Sequence, residues 1–317
     1  MPRVLVTGAS GFVGVHACQT FISQGWQVRA VSRQNNVAVD SGFEWCVIPE
    51  VDEETDWRYL LKDVDCIVHL AGIAHQVKRR HYTFHDFERV NTQGTQRLAQ
   101  QAISAGVKRF VFVSSVGVHG LQSPEGRCLT ENDSVKPHDA YTQSKINAEN
   151  ALAELGKSAR LEIVVVRPCL VYGPGAPGNF YRLIQLVRKG IPLPFASVKN
   201  RRSLLYVQNL ADALVTCARH PNAAGHTYLV ADKENLSITE VIRVLSLGLG
   251  RVVRLFSVPT SILRLLGLLV GRKSDMDRLI GSLCVDTYKI QTHLGWQPRF
   301  STDEGLMATA AWYRVNS

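Results

Sequence analysis

The chain of 317 residues is 45% hydrophobic and 20% charged, a composition that reads as soluble and globular, with room for one large or two closely packed domains. Its formal net charge of +9 comes in short basic groups, such as 78–81 and 199–202, and not as a long arm or an aromatic-interleaved stripe. That pattern argues against nucleic acid and leaves anionic small ligands and solvated surface to account for the charge.

Seven cysteines, an odd number, stand at 18, 46, 66, 128, 169, 217 and 284 with no Cys-x-x-Cys pair and no Cys/His cluster. They read as reduced, mostly buried side chains, with no metal site. The first expected strand starts within a few residues of Met1, which leaves no room for a leader peptide; a cytoplasmic protein is the expectation.

In chain order, Arg3-Val-Leu-Val-Thr7 is a short apolar run, and Gly8-Ala9-Ser10-Gly11-Phe12-Val13-Gly14 follows it directly, opening a helix to about residue 24. Strand, glycine turn and helix form the context in which a backbone approaches a pyrophosphate at a helix N-terminus. The spacing is Gly-x-x-Gly-x-x-Gly. Further β-type runs at 27–32, 44–48, 66–70, 109–114 and 162–167 alternate with helical or connecting segments, the best helices being 85–105 and 140–155. The expected fold is α/β, a Rossmann-type doubly wound parallel sheet. Ligands of such sheets gather at the carboxyl ends of the strands, where Gly8, Ala71-Gly72, Ser114-Ser115 and Pro168 fall.

On the second of those helices Tyr141 and Lys145 are one turn apart and share a face. An ammonium near a phenol favours the phenolate, which would make Tyr141 a proton donor and acceptor at neutral pH. Taken alone, the spacing is equally that of an ordinary surface pair. Beyond Pro168 the pattern turns to glycine- and proline-rich loops and mostly helical pieces, so residues 1–168 are expected to bind the nucleotide and 169–317 to form a smaller, mainly C-terminal substrate lobe. The apolar stretch 252–270 is interrupted by Arg254, Pro259 and Arg264 and is too short to span a bilayer; a core or interface helix is expected there, with contact at a membrane surface as the alternative.

With these residues placed, the chain resembles the extended short-chain dehydrogenase/reductases, and among them the nucleotide-sugar epimerase/dehydratase family. The resemblance rests on 7–14, His69-Leu70-Ala71-Gly72, Asn91, Phe110-Val-Phe-Val-Ser-Ser115, Tyr141 with Lys145, Arg167-Pro168 and Val171-Tyr-Gly-Pro174. It implies a nicotinamide dinucleotide held by Gly8, Ser10, Gly11, Phe12, Val13, Gly14, Ser32, Arg33, Glu50, Val51, Leu70, Ala71, Gly72, Asn91, Ser114, Tyr141, Lys145 and Pro168. It also implies Tyr141 as acid/base, Lys145 as the residue that holds the nicotinamide ribose and lowers the tyrosine pKa, and Ser115 as the hydroxyl on the reacting sugar oxygen. For a UDP-sugar substrate the matching positions are Asn179, Arg202, Arg278 and Leu283, the last near the sugar where a small side chain would admit a 2-acetamido group. A homodimer through helices 85–105 and 140–155 is implied as well.

Two departures bear on the reaction. The second strand ends Ser32-Arg33-Gln34 without the acid that NAD-using relatives place on the ribose, so NADP(H) is favoured, with NAD(H) as the alternative if Arg33 only stacks on adenine. After Ser115 comes Val116-Gly117, not the acidic pair of a 4,6-dehydratase, and His119 is a poor substitute for it. These features, with the Asn200-Arg-Arg-Ser-Leu204 run, point first to a 4-ketoreductase of a UDP-4-keto-6-deoxy-N-acetylhexosamine in surface polysaccharide (O-antigen) synthesis. A UDP-glucose or UDP-N-acetylglucosamine 4-epimerase is the second reading, and a non-catalytic dinucleotide sensor or scaffold the third.

Overall fold

The structure, a computed structural model, describes residues 1–33, 42–74, 82–158, 160–269, 271 and 273–316. The basic group at 78–81 lies outside the described residues. The first part of the chain runs β1 (Arg3–Thr7), α1 (Phe12–Ser23), β2 (Gln27–Ser32), β3 (Glu44–Val47), β4 (Cys66–His69), α2 (Phe84–Phe87), α3 (Gly94–Ser104), β5 (Arg109–Val113), α4 (Ala140–Ser158) and β6 (Glu162–Pro168). The remainder runs β7 (Leu170–Tyr172), α5 (Gly178–Arg188), β8 (Arg202–Tyr206), α6 (Val207–Arg219), β9 (Thr227–Val230), β10 (Asn235–Leu236), α7 (Ile238–Gly248), α8 (Thr260–Leu269), α9 (Lys273–Ile280), α10 (Tyr288–Leu294) and α11 (Thr302–Val315).

Seven strands form one sheet in the order β3-β2-β1-β4-β5-β6-β9, with every pairing parallel. Side-chain alternation explains why the strands are apolar throughout: Val4 and Val6 pack on the face shared with Ala17, Phe21, Leu210 and Leu214, whereas Leu5 points to the opposite face with Leu98, Ala102 and Leu152. Both faces are therefore core. The strand order reverses between β1 and β4, which opens the crevice for a ligand at their carboxyl ends.

Past residue 168 the chain does not leave the main sheet for good. After β7 and β8 the chain returns to the sheet, with α6 packed against α1 and β9 paired to β6, before it builds the rest of the second lobe. That lobe has its own three-stranded sheet, β10-β8-β7, and its own core around Phe180, Ile184, Tyr206, Ile242 and Leu306. Of the readings open for 252–270, the core helix does not hold: α8 buries only Leu263 and Gly267, and its other apolar side chains face outward. All seven cysteines are free thiols, five of them buried.

Candidate active site

The glycine turn is shaped by contacts that no side chain would survive. Gly8 has φ +67°, and a Cβ there would lie 2.9 Å from the Ala71 nitrogen; a Cβ on Gly14 would lie 2.2 Å from the Gly8 carbonyl oxygen. The turn thus packs directly on the end of β4 and on the first turn of α1. Gly11 caps α1 without a side-chain bond, and the first turn carries no acid, so the N–H groups of the helix start are presented to an anion. Ser10 and Gly11 are exposed at this turn, while Phe12 and Val13 lean into the second lobe's core. A backbone cradle closed to side chains and open at a helix N-terminus fits a dinucleotide pyrophosphate.

Beneath the cradle lies a buried relay of hydrogen bonds. The Thr95 hydroxyl donates to the Asn91 carbonyl at 2.6 Å and so accepts from His69 Nε2 at 2.9 Å. The other ring nitrogen, Nδ1, then accepts from the Thr7 hydroxyl at 2.7 Å, and that oxygen receives the Leu70 and Ala71 N–H groups at 3.2 and 3.1 Å. Burial, reinforced by the Lys145 charge, pulls the His69 pKa down to about 3, so the ring is neutral and the direction of the relay is fixed. It ties β1 to the 70–73 turn. Asn91 completes the tie: its amide bonds both the N–H and the carbonyl of Ile73, at 2.8 and 2.9 Å, and reaches the Ser144 hydroxyl at 2.9 Å. Asn91 lies in a single wide π-helical stretch, Glu88–Gln93, an irregularity of a kind that recurs at functional sites.

Catalytic candidates come together from two elements. Ser115 caps the short 3-10 turn Val116–His119 after β5, its hydroxyl accepting from the Gly117 N–H at 3.0 Å. Asp139 holds the start of α4 by accepting from the Thr142 N–H at 2.8 Å, which fixes Tyr141 in the first turn. The Tyr141 phenol lies near the Ser115 hydroxyl; burial, the larger effect, pushes its pKa up to about 12, while Ser115 lowers it. Lys145 is buried one turn further on, its ammonium 2.9 Å from the Val113 carbonyl and 4.7 Å above the Phe112 ring. Burial brings its own pKa down to about 8, partly offset by Glu149.

The Lys145 ammonium is turned toward the Val113 carbonyl, and in this arrangement the Tyr141 pKa is set by burial and by Ser115. His119, weighed as a substitute acid, is buried and accepts from Arg167 at 2.9 Å, while Arg167 also pairs with Glu149 behind α4. Its role is structural.

Other expected cofactor positions fall along the same edge of the sheet. Ser32 and Arg33 end β2, Ser32 buried and Arg33 exposed. Ser114 ends β5 with a buried hydroxyl that lacks a hydrogen-bond partner among the described residues, a further sign of a polar ligand. Pro168 ends β6. Glu50 is exposed and pairs with Arg89 at 2.8 Å, and Val51 packs into the core against Gly94. Sequence reasoning passed over Thr7, Thr95 and Ser144; nothing local marks them, because their partners lie 26 to 62 residues away.

On the substrate side, Arg202 Nη1 donates to the Arg278 and Gly281 carbonyls and pins the end of α9. Arg278 reaches back to Asp139 at 3.3 Å and to His138 at 3.2 Å, so it stands at the lip of the Tyr141 site. Asn179 is exposed in the first turn of α5 and accepts from Arg182 at 3.0 Å; no bond brings it to the other site residues. Leu283, expected near the sugar, is turned inward. Backbone bonds to Arg201 and Ser203 on either side turn it into the core cluster that holds Val116, where it is 8% exposed. It packs as a core side chain and not as an open pocket wall.

The family model described as NAD dependent epimerase/dehydratase family matches residues 4–231, which include the cradle, the relay and the Ser115–Tyr141–Lys145 group. The chain belongs to this family. Among curated relatives of the family, a Vibrio cholerae UDP-glucose 4-epimerase is 38% identical over 100% of this chain and 98% of its own length. An Escherichia coli O157:H7 N-acetyl-alpha-D-glucosaminyl-diphospho-ditrans,octacis-undecaprenol 4-epimerase is 27% identical over 81% of this chain and 75% of its own. Among solved structures, UDP-glucuronic acid 4-epimerase from Bacillus cereus in complex with NAD superposes with a TM-score of 0.79, covering 99% of this chain and all of that one at 23% identity. That likeness shows the fold.

Proposed function

We propose that the protein is a nucleotide-sugar C4 enzyme, and that it interconverts the C4 epimers of a UDP-linked hexose or N-acetylhexosamine. The observation that supports this most is the 38% identity to the Vibrio cholerae UDP-glucose 4-epimerase along nearly the whole of both chains. Ser115 and Tyr141, brought together at the end of β5 and the start of α4, would supply the chemistry. As the phenolate, Tyr141 would take the proton of the C4 hydroxyl as the hydride leaves C4, and as the phenol it would return that proton to the oxygen when the hydride comes back. Ser115 orients the reacting oxygen. The cradle at 8–14, Asn91 and Lys145 would hold a nicotinamide dinucleotide, which when bound accepts the C4 hydride and returns it. Arg202 and Arg278 would face the substrate pyrophosphate, to which a planar cation is suited.

A second reading is favoured by Arg33, which stands exposed at the end of β2 where a ribose-binding acid would otherwise be expected. It would pair with a 2′-phosphate, and so suits an NADPH-dependent 4-ketoreductase of a UDP-4-keto-6-deoxy-N-acetylhexosamine in O-antigen synthesis. A cytoplasmic homodimer suits either reading. A sensor or scaffold is disfavoured by the retention of Ser115, Tyr141 and Lys145 together.

The purified protein is to be given UDP-glucose and UDP-N-acetylglucosamine without added nucleotide, and the C4 epimers followed by NMR. Conversion under those conditions is the expected result. Turnover only of a 4-keto sugar, with stoichiometric consumption of NADPH, would replace the epimerase by the reductase.

A further inference from the structure

Helix α8 faces the wrong way for a core helix. Leu263 and Gly267 point inward, one turn apart, while Ile262, Leu265, Leu266 and Leu269 recur at i, i+3, i+4 and i+7 on the outer side. Those four are 46%, 54%, 49% and 73% exposed, and Leu268 beside them is 57% exposed. The segment that leads into the helix continues the pattern, with Val252 88% and Phe256 48% exposed. An ordered apolar stripe in solvent is uncommon on a protein with no partner for it.

Charge identifies the partner. Residues 241–274 hold five arginines and one lysine and not one carboxylate. Arg251 and Arg254 stand exposed in the lead-in, and Arg264 is exposed on the helix, 3.6 Å from Asp277 of α9. A second copy of the chain would meet this face by a two-fold axis, which sets like patches together and places Arg251 and Arg254 against their own kind, while Asp277 is already taken by Arg264. A lipid surface carrying negative headgroups answers both features at once, taking the leucines into its acyl boundary and the arginines at its headgroups. No helix among the described residues is long and apolar enough to cross a membrane, so the contact is one of lying on the surface.

We propose that α8 and its lead-in seat the protein on an anionic membrane surface, with the helix in the interfacial plane. The inference is independent of which C4 reaction the protein performs.

Flotation with phosphatidylcholine vesicles, with and without phosphatidylglycerol, tests it on the full chain, with light scattering of the same samples for oligomeric state. Wild type is expected to float with the anionic vesicles and to bind neutral ones, or anionic ones in high salt, at least about tenfold less. Leu265→Gln with Leu269→Gln should abolish flotation while UDP-sugar turnover is unchanged. Arg251→Gln with Arg254→Gln should weaken binding to anionic vesicles only, and it keeps the test decisive should the leucine variant fail to fold. Absence of flotation, flotation indifferent to both variants, or a loss of oligomers in the leucine variant without any effect on vesicles would overturn the proposal, the last by making a second copy the occupant.

Discussion

The two sides of the candidate site are built by different means. On the cofactor side, backbone is set against backbone: Gly8 against Ala71, Gly14 against Gly8, and the 70–73 turn against the Thr7–His69–Thr95–Asn91 relay. On the substrate side, long side chains reach across gaps, Arg202 to the end of α9 and Arg278 to Asp139. A turn held by close backbone contacts and a buried relay is fixed before a ligand arrives, whereas two half-buried arginines on long side chains adjust to the ligand they meet. The first suits a cofactor held in one pose. The second suits a substrate that must enter and leave.

The largest effect that would break this contrast is expected at its pivot. Lys145→Ala removes the buried ammonium under the site, and we expect turnover to fall by about a hundredfold or more together with weaker nucleotide retention. Nucleotide content and rate measured on the same sample check both; a fall in rate alone would mean that Lys145 does not hold the cofactor. Next in size is the relay. His69→Phe leaves the Thr7 hydroxyl without its acceptor and takes a donor from Thr95, at a cost of about 2–4 kcal/mol in stability by denaturant unfolding.

The second lobe offers a test by pH. Asp232 is buried and bonds the Tyr172 hydroxyl, the Asn209 amide and the Tyr206 N–H. Burial raises its pKa from the usual 3.8 to about 6. An acid whose folded pKa is raised favours the fold when protonated, so its contribution is greatest below 3.8 and is lost as pH rises to about 6. The gap between wild type and Asp232→Asn should therefore move in the variant's favour by up to about 3 kcal/mol across that window and stay flat above it. The smallest effect is at Leu283. A tyrosine there overpacks the core around Val116, and we expect a loss of about 1–3 kcal/mol with all substrates affected alike. Selective loss of the N-acetylated substrate would restore Leu283 to the pocket.

Legibility follows the same division. Strand, glycine turn and helix are written in contiguous residues, so the parallel sheet, the cradle and the places of Ser115, Tyr141 and Lys145 could be read from spacing and family motifs. The direction of the Lys145 ammonium could not, since it depends on Val113 of β5, 32 residues away. Nor could the return of α6 and β9 to the main sheet, which no local pattern marks. The 252–270 stretch stayed open among core, interface and membrane surface for a related reason: periodicity shows that a helix has an apolar face, and not which way that face points.

The central claim is that Tyr141 moves the proton at a sugar hydroxyl while hydride passes to a bound nicotinamide. Stopped-flow measurement of reduced-nicotinamide absorbance after mixing UDP-sugar with the nucleotide-loaded protein tests it directly. A rise is predicted for wild type, and one at least about a hundredfold slower for Tyr141→Phe with nucleotide content unchanged. Equal rates in the two proteins would contradict it.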